Sequence, residues 1–362
     1  MNLTRRHFLL RSAQATASLG LFSHLPLLAS TRQSKPLGVA LLGLGYYSRD
    51  LLAPALQLTE HCQLRGIVTG SPDKIPTWQE QYGIPDANVY NYDNLSAIAD
   101  NDDIDVVYVV TPTGTHMRFS VAAAEAGKHV WCEKPMAMNV DECQRIIDVC
   151  GKNRVKLSIG YRMQHEPNTQ TVIEYARTTP YGAIQNVIAE AGFAGGRPTG
   201  WRADPELGGG ALYDMGVYTI NGLRYASGLE PTEVRSAQRT MPDGLEVDVT
   251  TTYQLAFPDD ILGDAKTSNV EAVNRLRVNA ADGWYQLSPM QSYSGVQGKT
   301  SDGTLLDKPI NNQQARQMDN DALAILNDTP VLVPGSEGLR DIRIVNAIIE
   351  ADRTGQTVKI NA

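Results

Sequence analysis

The stretch that decides the fold is Val39-Ala40-Leu41-Leu42-Gly43-Leu44-Gly45-Tyr46-Tyr47-Ser48. Its first four residues are an uninterrupted apolar run, which predicts a strand buried on both faces. Two glycines follow directly, and residues 51–58 have the pattern of a helix. Gly43 permits a tight turn, and Gly45 lets the backbone approach a pyrophosphate at the helix N-terminus. The pair is a weak signal alone, but between a strand and a helix it favours dinucleotide binding over an ordinary turn.

The first half of the chain continues this alternation of strands and helices. Helical spacing recurs at 72–82, 117–126 and 141–150. Strict alternation of the two elements predicts a parallel, doubly wound sheet with right-handed crossovers. The apolar runs that we predict as the remaining strands of this sheet lie at 64–68, 105–110, 129–132 and 156–159.

After Gly160 the pattern changes to longer β-rich stretches, and a chain of 362 residues exceeds a usual single core. Runs of strands that follow a βαβ half predict a second domain on a mostly antiparallel sheet. The expected fold class is therefore α/β plus α+β: a Rossmann domain at 31–160 and an open-faced sheet domain at 161–362. Its expected strands lie at 184–191, 233–240, 247–257, 268–280 and 283–287, and its helices at 168–177, 314–327 and 336–353, the last expected to pack back on the first domain.

Residues 1–30 have the pattern of an export signal. Arg5-Arg6 precedes Phe8 and an apolar run at 19–28, and small residues follow at Ala29-Ser30. The twin-arginine export machinery carries folded proteins, so we expect a periplasmic protein that loads its cofactor before crossing and then loses this segment. The run is broken by polar residues and is shorter than the ~20 residues that a membrane span needs, so we expect no membrane segment in the mature protein.

Charge and cysteine content argue against several classes of partner. The formal net charge is −8, and it becomes −11 once residues 1–30, which carry three arginines and no acid, are removed. An acidic chain without a basic block argues against nucleic acid or an anionic membrane as partner. The cysteines show no metal-ligand spacing, so we expect free, buried thiols and no metal site. They are Cys62, Cys132, Cys143 and Cys150.

The end of the second predicted strand indicates which dinucleotide is bound. An acidic residue there would bind an adenosine ribose, but the chain has Thr69-Gly70-Ser71, with Lys74 following. A carboxylate would repel a 2′-phosphate, whereas small hydroxyls and a cation accept one. The sequence therefore predicts NADP.

Two further stretches carry side chains suited to proton transfer. Glu133-Lys134-Pro135 directly follows strand 129–132, at the edge of a parallel sheet where ligands bind. Gly208-Gly209-Gly210 precedes a predicted helix on which Asp214 and Tyr218 are four residues apart and share a face. A loop lysine is usually solvated and a helix tyrosine usually lies at the edge of a core, so neither stretch decides the chemistry alone.

Taken together, the motifs resemble the glucose–fructose oxidoreductase and inositol dehydrogenase (Gfo/Idh/MocA) family. That resemblance implies a Rossmann domain, a sheet on which subunits associate into a homo-oligomer, an export signal, a sugar substrate and tightly held NADP. The stretches that carry it are Gly43-Leu44-Gly45, Ala126-Gly127-Lys128-His129-Val130, Cys132-Glu133-Lys134-Pro135-Met136, Gly160-Tyr161-Arg162, Gly208 through Tyr218, Asn221-Gly222 with Arg224-Tyr225, and Glu337-Gly338 with Asp341.

The resemblance also implies roles for individual residues. Lys134, Asp214 and Tyr218 match the catalytic lysine, acid and tyrosine of the family, and a tyrosine at 218 is typical of its sugar-oxidoreductase branch. Lys134, Tyr161, Arg162, Asp214 and Tyr218 are implied to bind the sugar, with Trp201 and Arg202 as further candidates that packing or ion pairing would equally explain. Those implied to bind the cofactor are Gly43, Leu44, Gly45, Tyr46, Tyr47, Ser71, Lys74, Thr111, His116, Glu133, Lys134, Arg162, Trp201 and Arg202.

These roles describe one reaction and leave two alternatives. Tyr218 takes a hydroxyl proton while hydride leaves carbon, and the Lys134 ammonium stabilises the phenolate. We expect an aldose to be oxidised to its lactone and the hydride to be returned to a second sugar. The alternatives are an exported glycosidase that oxidises its sugar transiently, and a non-catalytic sugar or nucleotide sensor. Tyr218 and Thr69-Gly70-Ser71 argue against the glycosidase, and the complete set of catalytic residues argues against the sensor.

Overall fold

The computed structural model describes residues 35–360, so the predicted export signal lies outside the described residues. The first sheet has six parallel strands in the order β3-β2-β1-β4-β5-β6, which is the order of the doubly wound dinucleotide-binding fold. Its strands are β1 (Leu37–Leu42), β2 (Cys62–Val68), β3 (Val89–Tyr90), β4 (Val106–Val109), β5 (His129–Cys132) and β6 (Leu157–Ile159), and the α-helices between them are α1 (Ala53–Ala55), α2 (Ile75–Tyr82), α3 (His116–Glu125) and α4 (Val140–Asn153).

Both faces of this sheet are covered, as its continuous apolar strands predict. Along β1, Leu41 belongs to one hydrophobic cluster with Trp78 of α2, while Leu42 belongs to the other with Phe119 of α3. Met318, from a helix near the end of the chain, completes the first cluster. The core therefore extends without a break from the N-terminal half of the chain to its C-terminal helices.

The second sheet has nine strands in the order β14-β13-β12-β11-β7-β10-β9-β8-β15. Every neighbouring pair is antiparallel except β7 and β10, which confirms the predicted α/β plus α+β architecture. The strands are β7 (Ile184–Gly192), β8 (Glu233–Thr240), β9 (Thr250–Ala256), β10 (Leu262–Ser268), β11 (Asn274–Ala280), β12 (Gly283–Leu287), β13 (Gly298–Thr300), β14 (Leu305–Leu306) and β15 (Val358–Lys359), and the helices of this half are α5 (Pro167–Thr178), α6 (Ala211–Asp214), α7 (Gly216–Ser227), α8 (Gln313–Leu326) and α9 (Gly335–Thr354).

One face of the second sheet packs on helices and the other stays open. Gly222 of α7 lies directly against Leu276 and Ala189, so the helix approaches the strands closely. On the opposite face Glu190 and Arg275 form a partly exposed ion pair of 2.9 Å across neighbouring strands. The helices α6 and α7 follow each other directly in the chain, and they contribute residues to the site described below.

Three predicted elements differ from the structure. The expected strand at 268–280 is divided: β10 ends at Ser268 and β11 begins at Asn274. β10 itself was not predicted, because the side chains that it buries are small or polar and leave no apolar alternation. The expected helix at 51–58 begins instead as a π-helical turn, Ser48–Leu52. The single helix expected to carry Asp214 and Tyr218 is interrupted at Met215, between α6 and α7.

The interior contains all four cysteines as free thiols. Within residues 35–360, none of the helices has both the length and the apolar character that crossing a bilayer requires. The same part of the chain holds no cluster of three or more histidine, cysteine or acidic side chains suited to a metal ion.

A buried acid on α8 predicts how stability depends on pH. Asp321 is 1% exposed, and its Oδ1 accepts a hydrogen bond of 2.7 Å from Ser158. Its Oδ2 has no hydrogen-bond partner among the described residues. Burial raises the pKa of this carboxyl from 3.8 to about 7. The native state therefore keeps a proton that the unfolded chain has lost, and the free energy of unfolding falls as the pH rises through that window.

Asp321→Asn is expected to remove this contribution, making the dependence less steep, and to raise the free energy of unfolding at about pH 8 by on the order of 2 kcal/mol. Urea unfolding of both proteins at about pH 5 and about pH 8 measures it. Glu60→Gln, at an exposed acid, is the control and should leave the profile unchanged. Parallel profiles for Asp321→Asn and the unmodified protein would show that Asp321 is ionised in the native state.

Candidate active site

A single cleft runs along the carboxyl ends of the first sheet and reaches α6 and α7. This is the edge at which parallel sheets of this topology bind ligands. Residues from both halves of the chain line it, so the second half completes a site that the first begins. The lining residues are Gly43, Leu44, Gly45, Tyr46, Tyr47, Thr69, Ser71, Lys74, Tyr92, Val110, Thr111, Pro112, Thr113, Glu133, Lys134, Pro135, Trp201, Arg202, Asp214, Tyr218 and Tyr293.

The glycine loop after β1 has room for a ligand's phosphates. Gly43 has a φ of +97°, and a Cβ there would lie 2.9 Å from the carbonyl oxygen of Val110, so only glycine fits. At Gly45 no atom beyond its two chain neighbours lies within 4 Å of where a Cβ would be. Ser48, which replaces the third glycine of the fingerprint, is buried and donates a hydrogen bond of 2.5 Å to the Gly43 carbonyl. The loop is thus closed by a hydroxyl and leaves space at Gly45 for a pyrophosphate.

One end of the cleft combines hydroxyl groups with a cation. The Ser71 backbone N–H donates to Thr69 Oγ1 at 3.0 Å, which orders the turn after β2. Lys74 Nζ donates to the Leu44 carbonyl at 3.0 Å and so lies directly beside the glycine loop. The two acids that line the cleft lie away from this end: Glu133 directly follows β5, and Asp214 is the last residue of α6. This end is suited to a phosphate group.

At the other end the structure brings Lys134, Asp214 and Tyr218 together. Lys134 Nζ lies 4.7 Å from the centre of the Tyr218 ring. It donates a hydrogen bond of 2.8 Å to the Asp214 backbone carbonyl, and it is 3.9 Å from Asp214 Oδ1. The Lys134 and Asp214 side chains are only 13% and 11% exposed. The ammonium therefore faces the cleft with its position set by two oxygen atoms of one residue.

The helix interruption at Met215 explains this contact. Because α6 ends at Asp214, the Asp214 carbonyl lies at a helix end, where carbonyls lack intrahelical partners. The Asp214 carboxylate binds a different side chain, because its Oδ2 accepts a hydrogen bond of 2.9 Å from Arg202 Nε. The Arg202 guanidinium in turn lies 4.4 Å from the centre of the Trp201 ring. Asp214 thus holds Lys134 chiefly through its backbone and holds Arg202 through its side chain.

Glu133, next to the lysine, is held from the protein interior. Tyr108 donates to Glu133 Oε1 at 2.7 Å, and the Lys134 backbone N–H donates to Oε2 at 3.1 Å. Gln317 of α8 donates to the Tyr108 hydroxyl at 3.0 Å. Burial raises the pKa of the Glu133 carboxyl, while these hydrogen bonds oppose the shift. Through Tyr108, α8 therefore helps to hold Glu133 in position at the cleft.

Three residues predicted to bind cofactor or sugar do not line the cleft. The His116 ring is buried, with its nitrogens 2.8 Å from the Pro135 carbonyl and 2.7 Å from the Thr111 carbonyl, so it joins two cleft segments from behind. Tyr161 is also buried, which raises the pKa of its hydroxyl well above the usual value. Arg162 lies within the core, behind Tyr218. All three side chains are thus buried in the protein interior.

The structure adds a cleft residue that the sequence did not indicate. Tyr293 comes from the loop between β12 and β13, and its ring centre is 6.0 Å from that of Tyr47. No motif surrounds it, and its loop lies far along the chain from the glycine loop that it faces. Tyr92, Val110, Pro112 and Thr113 are further lining residues that no motif indicated.

Comparison with known proteins identifies the class to which this fold and site belong. Residues 37–161 match a family described as oxidoreductases with an NAD-binding Rossmann fold, and residues 169–286 match the Gfo/Idh/MocA C-terminal domain. The chain belongs to the Gfo/Idh/MocA oxidoreductase family, which confirms the resemblance drawn from its motifs.

Individual relatives agree with this assignment. The chain is 37% identical to an aldose–aldose oxidoreductase from Caulobacter crescentus, whose crystal structure with glycerol matches at a TM-score of 0.86 over 90% of this chain and 100% of that one. It is 26% identical over 352 residues to the D-xylose 1-dehydrogenase [NADP(+)] of Haloarcula marismortui, covering 91% of this chain and 95% of that protein. A scyllo-inositol dehydrogenase from Lactobacillus casei, at 17% identity and a TM-score of 0.74, shares the fold.

Proposed function

We propose that this protein is an NADP-dependent sugar oxidoreductase that oxidises an aldose at its anomeric carbon to the lactone and returns the hydride to a second sugar. The observation that carries the proposal is the single cleft, with a phosphate-suited end at Ser71 and Lys74 and the Lys134–Tyr218 pair at the other end. Two relatives support the substrate class, since one is named for aldoses and the other for D-xylose and NADP.

The residues of the cleft suit NADP along its whole length. The open space at Gly45 would take the pyrophosphate, and Ser71 with Lys74 would take the 2′-phosphate. Tyr47 and Glu133 line the middle of the cleft toward Lys134. When bound, NADP supplies the nicotinamide ring that takes up and gives back the hydride.

Side chains of the protein transfer the hydroxyl proton of the sugar. In aldose oxidation the Tyr218 phenolate oxygen accepts the proton of the anomeric hydroxyl as hydride leaves the same carbon. The Lys134 ammonium stabilises that phenolate, and the Asp214 carbonyl keeps the ammonium in place. In the reverse direction Tyr218 donates its proton to the oxygen of the second sugar as that sugar receives the hydride.

One experiment tests this function and identifies the sugars at the same time. The purified protein is denatured and the supernatant analysed for NADP(H) and NAD(H). Native protein is then mixed with single aldoses, without added cofactor, while the absorbance of reduced nicotinamide is followed. Growth of the absorbance identifies hydride donors, and its decay on adding a second sugar identifies acceptors. A protein that releases no nucleotide and gives no signal with added NADP would refute the proposal.

Cofactor choice gives a prediction at Ser71. Ser71→Asp is expected to weaken NADP binding by roughly 100-fold, because a carboxylate beside Lys74 repels the 2′-phosphate, while NAD binding changes by less than about threefold. Dissociation constants for both nucleotides, measured on protein freed of bound cofactor, check this. Ser71→Ala is the matched control, with a loss of about threefold for NADP. Equal losses of both nucleotides would place the 2′-phosphate elsewhere.

The same proposal includes export and assembly. The Arg5-Arg6 signal supports passage to the periplasm with the cofactor already bound. The open face of the nine-stranded sheet, which carries the Glu190–Arg275 pair, offers a surface for a second copy of the chain. Cell fractionation and the sedimentation mass of the mature protein test the two statements separately.

A further inference from the structure

Arg162 is a buried cation whose hydrogen-bond acceptors carry no net charge. It is 1% exposed. Its Nη1 donates to the Ser292 carbonyl at 3.0 Å and to the side-chain oxygen of Gln313, and its Nη2 donates to the Gln291 carbonyl at 2.9 Å. Within residues 35–360 no carboxylate forms an ion pair with it. Another buried arginine, Arg224, is by contrast paired with three acids: Glu230, Glu337 and Asp341.

A buried charge without an opposite charge is unfavourable, so the surroundings of Arg162 are informative. Its guanidinium carbon lies 4.7 Å from the ring centre of Tyr293 and 5.6 Å from that of Tyr218, both within cation–π range. Tyr218 is thus approached by two cations, since Lys134 Nζ is 4.7 Å from the same ring on the cleft side.

We propose that Arg162 is a positioning residue: a fixed positive charge behind Tyr218 that stabilises the phenolate formed when the sugar's proton is taken. This inference rests on the proposed function, because it assumes that Tyr218 is the proton acceptor. The phenolate formed in the reaction then supplies the close negative partner that Arg162 does not have among its hydrogen-bond acceptors.

Arg162 and Lys134 differ in what holds them. Lys134 faces the cleft, where substrate competes for its hydrogen bonds. Arg162 is tied to α8 through Gln313 and to the loop after β12 through Gln291 and Ser292, and it does not line the cleft. Its charge therefore acts on Tyr218 whether or not a sugar is bound.

The other titratable groups around Tyr218 have partners of their own. Glu133 accepts from Tyr108 and from the Lys134 backbone, and Asp214 accepts from Arg202. Burial raises the pKa of the Tyr47 hydroxyl, and partial desolvation together with the neighbouring Tyr218 raises the pKa of the more exposed Tyr293, so both phenols are neutral at neutral pH. In the part of the chain that the structure describes, Lys134 and Arg162 are accordingly the two cations within cation–π range of its ring.

The test is the pH dependence of a single turnover, in which cofactor already bound to the protein is reduced by aldose. Arg162→Met is expected to slow this step about tenfold near neutral pH and to move its half-maximal rate upward by about one pH unit, with the rates converging at high pH. Arg162→Lys retains the charge and should keep the midpoint. A deuterium isotope effect at the anomeric carbon shows that hydride transfer is being measured.

A second variant guards against loss of folding. Gln313→Glu keeps the arginine but places a carboxylate against it, so the same upward shift is expected. If Arg162→Met and Gln313→Glu lower the rate equally at all pH values, the role is only structural and the inference is overturned. Tyr218→Phe separates the two proposals: an inactive Tyr218→Phe with unshifted Arg162→Met rejects only this inference, whereas an active Tyr218→Phe rejects the proton-transfer assignment itself.

Discussion

Replacing Tyr218 with phenylalanine is expected to lower kcat for aldose oxidation by about 10²- to 10⁴-fold, with little change in KM. The ring and its contact with Lys134 remain, and only the oxygen that accepts the proton is removed. Because the same oxygen donates the proton to the accepting sugar, the return step should fall by a similar factor. Single-turnover absorbance in both directions measures the two losses independently.

The matched control is Tyr213→Phe. Tyr213 lies one residue before Asp214 on α6, and its hydroxyl donates to the Met138 carbonyl at 2.7 Å without lining the cleft. Its removal should change kcat by less than about threefold while lowering stability by ~1 kcal/mol. Full turnover by Tyr218→Phe would instead assign the proton to another group, and Lys134 would be the nearest candidate.

Replacing Lys134 with methionine is expected to reduce kcat/KM by roughly 10³-fold. The change removes the ammonium beside the Tyr218 ring and its hydrogen bond to the Asp214 carbonyl. If Lys134 acts through Tyr218, the two changes will not be additive: Lys134→Met combined with Tyr218→Phe should be little worse than Tyr218→Phe alone. Steady-state kinetics of the two single variants and the double variant measure this coupling.

Two comparisons make the Lys134 result interpretable. Lys134→Arg keeps the charge with a different shape and should retain an intermediate activity. Lys152→Met, at an exposed lysine at the end of α4, should leave kcat/KM unchanged. Losses that multiply in the double variant would mean that Lys134 contributes by binding the sugar and not by stabilising the phenolate.

The glycine loop shows how much of the site is predictable from local sequence. Position 43 has a positive φ and position 45 leaves open space, and a glycine at each position directly after a strand indicates both features. Lys134 could likewise be assigned to the sheet edge, because it directly follows β5. The lack of an acid among Thr69, Gly70 and Ser71, directly after β2, likewise predicted NADP from adjacent residues. Each of these features depends on residues adjacent in the chain.

The direction of several side chains was not predictable from the sequence. Tyr161 and Arg162 follow β6 at the correct edge of the sheet, yet both are buried. Arg162 is held there by Gln313 of α8 and lies near the Tyr218 ring of α7. Asp214 and Tyr218 were expected on one continuous helix, but the helix is interrupted between them. The interruption leaves the Asp214 carbonyl free to accept a hydrogen bond from Lys134. Tyr293 reaches the cleft beside Tyr47 from a loop of the other sheet.

By itself the sequence determined the doubly wound sheet, its strand-end loops and the residue types available for binding and proton transfer, since hydrophobic periodicity and glycine placement act over short distances. Only the tertiary structure decided which of those residues face the cleft and which support it from the core. The partner of the Asp214 carboxylate, the contacts behind Glu133 and the unpaired charge of Arg162 arise where segments far apart in the chain pack together. No local pattern encodes those contacts.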